Sequence, residues 1–159
     1  MMLCKFFTKR VEINIKMWYN KKALSRNEKN YEIEKAEKGG RKMNYTFIHY
    51  PKCTTCQRAK KYLDDNKIKY TEKHIVTETP SYDELKAIIE ASGLPVSKFF
   101  NTSGLLYRSM NLKEELKNCS DDDKIRLLAS NGMLIKRPLL IKKEKVLVGF
   151  KEEEWKELK

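Results

Sequence analysis

The sequence predicts an α/β domain ordered β-α-β, a helical insertion, then β-β-α, and three observations lead there. A short apolar run, Tyr45-Thr46-Phe47-Ile48, passes through His49-Tyr50-Pro51-Lys52 into Cys53-Thr54-Thr55-Cys56 and then into a segment of helical period. Two polar helix starts, at Ser81 and Ser120, open further amphipathic segments in the middle of the chain. Near the end, the apolar runs Leu139–Ile141 and Val146–Val148 flank a polar turn at Lys142–Lys145, which is the pattern of a β-hairpin.

In order along the chain, the first strand ends at His49, and Cys56, Ala59, Tyr62 and Leu63 then fall on one helical face while Arg58, Lys60 and Lys61 look outward. Asn66 closes that helix and Ile68–Val76 reads as a second strand. Strand, helix and strand on this scale form a βαβ unit, hence a parallel pair with a right-handed crossover. Pro80 and Ser81 open the next helix through the capping box Ser81-Tyr82-Asp83-Glu84. Tyr82, Leu85, Ile88 and Ile89 mark its apolar face and Gly93 stops it. Leu94-Pro95 starts a short helix ending near Phe100-Asn101, and a loop at Ser103-Gly104, the segment Leu105–Arg108 and a short helix around Asn111–Lys117 follow. Ser120 caps a helix with Asp121, Asp122 and Asp123 in its first turn, where negative charge suits the helix dipole, and with Ile125, Leu128 and Ala129 inward. After the hairpin, Lys151–Leu158 reads as a last helix with Trp155 and Leu158 inward.

The CxxC at the first strand-to-helix junction is the chemical centre. Cys53 falls at a helix N-terminus, where free backbone N–H groups and the positive end of the dipole favour a thiolate. Lys52 and Arg58 add positive charge, so Cys53 is expected to titrate below the free value of about 8.5 and to act as nucleophile. Cys56, one turn deeper, is placed to attack a mixed disulfide on Cys53 as resolving thiol. Two other readings compete. A CxxC can be half of a zinc site, but Cys4, Cys119, His49 and His74 supply no second closely spaced pair, so no metal is expected. Two buried structural cysteines are the plainer alternative, since free Cys often serves as a small core residue; placement directly after a strand speaks instead for a thioredoxin-like redox motif. His49, on the strand that leads into the thiolate, either supports it as imidazolium or hydrogen-bond donor, or is a half-buried strand residue with one hydrogen bond of its own.

Composition narrows the function classes. At 159 residues, 40% hydrophobic and 35% charged, the chain suits one domain with a moderate core and some additional chain. Apolar runs such as Gly104–Tyr107 and Leu139–Ile141 are far too short to span a bilayer, and no membrane contact is expected. Four cysteines with one close pair do not make a secreted disulfide framework, so a reducing bacterial cytoplasm is the expected location. The formal net charge of +12 suggests nucleic acid until it is located: Met1–Lys42 holds 12 Lys and Arg against 5 Glu, leaving +5 for Met43–Lys159. Direct nucleic-acid binding by the domain is therefore not expected.

Met1–Lys42 has no sustained period and reads as a disordered basic extension. A basic arm and a transit peptide are readings of it, although Glu12 and the scarcity of Ser oppose the second. A third is an untranslated leader read in frame: Gly39-Gly40 can be encoded by a purine-rich ribosome-binding sequence a few codons before Met43, which would then be the natural start. N-terminal peptide mapping distinguishes these readings.

In order, His49-Tyr50-Pro51-Lys52-Cys53-Thr54-Thr55-Cys56, Phe99-Phe100-Asn101-Thr102-Ser103-Gly104, Gly132-Met133-Leu134-Ile135-Lys136-Arg137-Pro138 and Val148-Gly149-Phe150 resemble the arsenate reductase (ArsC) and Spx/MgsR family over nearly all of residues 43–159. The resemblance implies a thioredoxin-like fold with a central mixed sheet of about four strands and an inserted helical subdomain. It implies that Arg137 is an active-site arginine, followed by a cis-proline at Pro138, and that His49 matches a histidine preceding the nucleophile. A guanidinium beside the cysteine loop can grip an oxyanion or a sulfinate through two hydrogen bonds.

The departures bear on substrate. Glutaredoxin-dependent arsenate reductases surround the nucleophile with three arginines, and here only Arg137 matches, with Asn101 and Phe150 at the other two places. Cys56 stands where such reductases have no cysteine and resembles the Spx side. Two functions follow as expectations. One is a thiol-dependent oxidoreductase of arsenate-reductase type, acting on a small oxyanion or an oxidised thiol. It would have no bound cofactor and would draw on an external thiol reductant, either thioredoxin or glutaredoxin with glutathione. The other is an Spx/MgsR-like redox-sensing regulator that binds the C-terminal domain of the RNA polymerase α subunit.

Overall fold

The computed structural model describes residues 45–143 and 145–158. The extension at residues 1–42, the start at Met43 and Cys4 lie outside the described residues.

The sheet is assembled from β1 (Tyr45–His49), β2 (Tyr70–His74), β3 (Leu139–Lys142) and β4 (Lys145–Val148) in the order β2-β1-β3-β4. β1 and β2 are parallel, with Phe47 opposite Glu72 and His49 opposite His74. β3 runs antiparallel to both β1 and β4. Between β1 and β2 lies α1 (Thr54–Asp65), as a parallel pair requires. Between β2 and β3 lies the helical insertion: α2 (Tyr82–Ser92), a 3₁₀ turn at Val96–Phe99, α3 (Leu105–Ser109), α4 (Leu112–Glu115) and α5 (Asp121–Ser130). A short α6 (Glu152–Trp155) continues as a 3₁₀ turn to Leu158. The architecture is the thioredoxin-like one, with a four-stranded mixed sheet and inserted helices.

Alternation along the strands divides the core in two. Successive strand residues point to opposite faces. Phe47 and Leu140 accordingly join Ala59, Leu63 and Trp155 in one cluster, while Ile48 and Leu139 join Leu85, Ile89, Phe99, Phe100, Ile125 and Leu128 in the other. Helices α1 and α6 cover the first face and the insertion covers the second. Trp155, fully buried, is crossed edge-on by the Phe47, Tyr62 and Phe150 rings. Burying a side chain of this size in a packed site contributes about 3–5 kcal/mol, measured as the cost of its truncation.

Local signals placed the insertion. Ser81 Oγ accepts from the Glu84 N–H at 3.3 Å while the Glu84 carboxylate accepts from the Ser81 N–H at 2.7 Å, so the capping box is complete. Gly93 ends α2 in the left-handed region with φ 64°, where a Cβ would be strained. Ser120 caps α5 through Asp123 N–H. Gly132 is required by proximity: a Cβ there would lie 1.9 Å from the carbonyl oxygen of Ile75. The turn at Gly132–Leu134 is thereby pressed against the end of β2.

Some boundaries differ from those expected. The second strand is Tyr70–His74 rather than Ile68–Val76, because local bonds use up the flanking groups. Ile68 N–H donates back to Leu63 O at 2.9 Å, and His74 Nδ1 accepts from the Val76 and Thr77 N–H groups at 3.3 and 3.2 Å, turning the chain. Leu105–Arg108 lies in a helix, the helix expected after Leu94-Pro95 is a single 3₁₀ turn, and the last helix tightens to 3₁₀ after Trp155.

Candidate functional site

Cys53 is the N-cap residue of α1, with extended backbone angles (φ −93°, ψ 120°), and is half-buried. Its own N–H donates to Tyr50 O at 3.0 Å, closing the loop that follows β1. Burial pushes the thiol up, but four interactions outweigh it and hold Cys53 below the 9.0 of an unperturbed thiol: the backbone N–H and the thiol of Cys56, the Arg137 guanidinium, and the backbone N–H of Thr55. The helix terminus therefore acts as the sequence suggested. The cation that matters most is a different one. Arg137 is the cation that pulls the thiol down, whereas Lys52 is exposed and Arg58 turns away to Glu152, 3.7 Å from its carboxylate, with its guanidinium 5.9 Å from the Phe150 ring centre. The reason is periodicity: Arg58 lies on the outward face of α1.

Cys56 is completely buried. Burial is the largest influence on it and pushes its thiol up to about 12, with the Tyr50 N–H and Arg137 pulling the other way and the Cys53 sulfur adding to the rise. Both cysteines are free thiols, and the Cys56 thiol helps hold Cys53 down while the Cys53 sulfur helps hold Cys56 up. One sulfur is thus disposed to ionise and the other to stay protonated beside it.

Arg137 and Pro138 arrive from the opposite direction, at the entry to β3, joined by a cis peptide bond as expected. Pro138 is buried, and its carbonyl accepts from Gly149 N–H at 2.8 Å, fixing the entry of β3 against the end of β4. A model of the ArsC family matches residues 48–158. The chain belongs to the ArsC family. It is 55% identical to "Uncharacterized protein YusI" of Bacillus subtilis over 115 residues, 72% of this chain and 98% of that protein. It is 29% identical to "Regulatory protein MgsR" of the same organism, covering 66% of this chain and 82% of that one. Among solved structures, the crystal structure of an ArsC family related protein from Bacteroides fragilis superposes with a TM-score of 0.71 at 52% identity, covering 74% of this chain and 100% of that one.

Other residues singled out from the ArsC motifs do not gather at the thiol. His49, nearly buried, pairs with Glu72 (Nε2 to Oε2, 3.3 Å) and stacks on Phe47 at 4.8 Å. Burial lowers its pKa from 6.5 against the pull of Glu72, which also bonds Lys60. The geometry is that of a strand residue with its own partner. Asn101 is a structural clasp: its N–H donates to Leu134 O at 2.7 Å and its side-chain amide to Met133 O at 3.4 Å. Phe150 packs on Trp155 with ring centres 4.9 Å apart. Among the described residues, no three His, Cys, Asp or Glu side chains are placed to hold a metal, and no helix is long and apolar enough to cross a membrane.

Two neighbours of Arg137 were not found by sequence reasoning. The Tyr50 ring lies 5.1 Å from the guanidinium carbon, and the Met133 thioether accepts from Nη1 at 3.5 Å. Tyr50 and Met133 are visible in the sequence only as members of the family motifs, with no signal of their contact with Arg137.

Proposed function

We propose that this ArsC-family chain is a thiol-dependent oxidoreductase of arsenate-reductase type, with Cys53 as nucleophile, Cys56 as resolving thiol and Arg137 as the oxyanion ligand. The observation that carries the reading is the asymmetric thiol pair: Cys53 half-buried at the N-cap of α1, where helix N–H groups and Arg137 hold it low, and Cys56 one turn deeper, completely buried and pushed up. For an arsenate-like substrate, the Cys53 thiolate attacks arsenic, an S–As bond forms, and an arsenate hydroxyl that takes a proton from solvent leaves as water. Cys56 then loses its proton and attacks Cys53 Sγ. The S–S bond forms, the S–As bond breaks, and arsenic keeps the electron pair, passing from As(V) to As(III). On an oxidised thiol, the Cys53 thiolate instead displaces a thiolate from a disulfide and Cys56 resolves the mixed disulfide. Arg137 offsets the negative charge on the oxyanion or the leaving thiolate. The Cys53–Cys56 disulfide is returned to dithiol by thioredoxin, or by glutaredoxin with glutathione, in the cytoplasm, and no bound cofactor takes part.

A second reading has its own support in the similarity to the regulatory protein MgsR and in the presence of Cys56. There the same pair senses oxidation and the protein docks on the C-terminal domain of the RNA polymerase α subunit. Turnover separates the two. With arsenate and a thioredoxin or glutaredoxin reducing system, the enzyme consumes reductant catalytically and loses that activity in Cys53→Ser and in Arg137→Ala. No arsenate turnover, together with polymerase binding that changes with the oxidation state of Cys53 and Cys56, overturns the enzyme reading in favour of the regulator.

A further inference from the structure

Arg137 makes its contacts without a carboxylate. Among the described residues no Asp or Glu forms an ion pair with it, so its position rests on weaker, directional contacts. Two are present. The guanidinium carbon lies 5.1 Å from the Tyr50 ring centre, within cation–π range, and Nη1 donates to Met133 Sδ at 3.5 Å. Tyr50 is itself fixed. Its ring meets the His74 imidazole edge-to-face at 5.8 Å, its carbonyl accepts from Cys53 N–H, and His74 is anchored by the Val76 and Thr77 N–H groups that its Nδ1 accepts. A line of contacts therefore runs from the end of β2 through His74 and Tyr50 to Arg137, and the Tyr50 carbonyl ties the same loop to Cys53.

We propose that Tyr50 is a positioning residue which, supported by His74 and together with Met133, holds the Arg137 guanidinium on the Cys53 sulfur. This rests on the reading of Cys53 as the reactive thiol with Arg137 as its cation. A carboxylate partner would neutralise the guanidinium and compete with an incoming anion for it. An aromatic face and a thioether orient the group while leaving its hydrogen-bond donors largely available. The contact is made by the ring rather than by the hydroxyl.

The test is the rate of Cys53 alkylation by iodoacetamide, mapped by mass spectrometry and followed from acid to alkaline pH. In Tyr50→Leu the rate below neutral pH falls about two- to fivefold, the size a partly exposed cation–π contact supports, and the titration midpoint rises. Met133→Leu, which keeps the volume and removes the acceptor, moves both in the same direction by less. Tyr50→Phe keeps the ring and behaves as the parent protein. In an Arg137→Ala background, Tyr50→Leu has no further effect. The proposal is overturned if Arg137→Ala raises the midpoint while Tyr50→Leu and Met133→Leu do not, or if Tyr50→Leu has its full effect without Arg137. An unchanged midpoint in Arg137→Ala, or preferential labelling of another cysteine, overturns the underlying reading of the site and the proposal with it. Should Tyr50→Leu fail to fold, Met133→Leu in the two backgrounds gives the same decision.

Discussion

Competitive alkylation at neutral pH should label Cys53 far ahead of Cys56, and the structure sets the margin. Cys56 is pushed up to about 12, whereas Cys53 is held below 9.0. At neutral pH this separation gives Cys53 about 10³ times more thiolate or better, but a more basic thiolate is intrinsically more nucleophilic, returning about 10^1.2 to 10^1.5 of that factor. The remaining advantage is about 30- to 60-fold before access is considered, and access favours Cys53 further, because Cys56 has no exposed surface while Cys53 is only half-buried. The assay is brief iodoacetamide treatment of the reduced protein followed by peptide mapping, with Cys119, half-buried and bonded through Sγ to Glu115 O, as an internal comparison. Equal labelling of Cys53 and Cys56, or faster labelling of Cys56, would refute the assignment of roles and the electrostatics behind it.

Three further outcomes are expected. Arg137→Ala should lower oxyanion-substrate turnover on the order of 10²-fold or more, by loss of a donor aimed at developing charge, while the rate at which an oxidant closes the disulfide changes much less. Because burial lowers the His49 pKa below 6.5, the unfolded chain binds more protons at His49 as pH falls through that value. Stability from this group is present above pH 6.5 and lost below it, so thermal denaturation should show a falling midpoint on acidification that is flatter in His49→Gln. Gly132→Ala, whose Cβ would lie 1.9 Å from a backbone oxygen, cannot be relieved by a rotamer change and should destabilise by about 1–3 kcal/mol or more in urea denaturation.

What was legible in the sequence were the features whose cause is local. The apolar run at Tyr45–Ile48, the capping box at Ser81, the Gly93 stop and the Ser120 cap each depend on residues a few positions apart, and each stands where expected. The placement of Cys53 at a helix start was equally local, and so was its effect on the thiol. What local pattern could not supply depended on distance in the chain, and Arg137 was reached only through the family resemblance. Arg58 is five residues from Cys53 yet faces Glu152, while Arg137, more than eighty residues away, supplies the cation, because only the pairing of β3 with β1 brings it there. His49 took Glu72 as partner through the parallel register of β1 and β2, which no local pattern reveals. Tyr50 and Met133 emerged for the same reason: their common contact is a side chain that neither neighbours in sequence.

Both proposed functions require Cys53 and Cys56 to form a reversible redox pair. Free thiols are to be counted and mapped in the protein after mild oxidation, and again after thioredoxin or dithiothreitol is added. Two thiols should disappear, they should belong to one peptide linked between Cys53 and Cys56, Cys119 should stay free, and reductant should restore both. Cys53 and Cys56 both remaining free under oxidant, or Cys53 pairing with another cysteine instead, would contradict it.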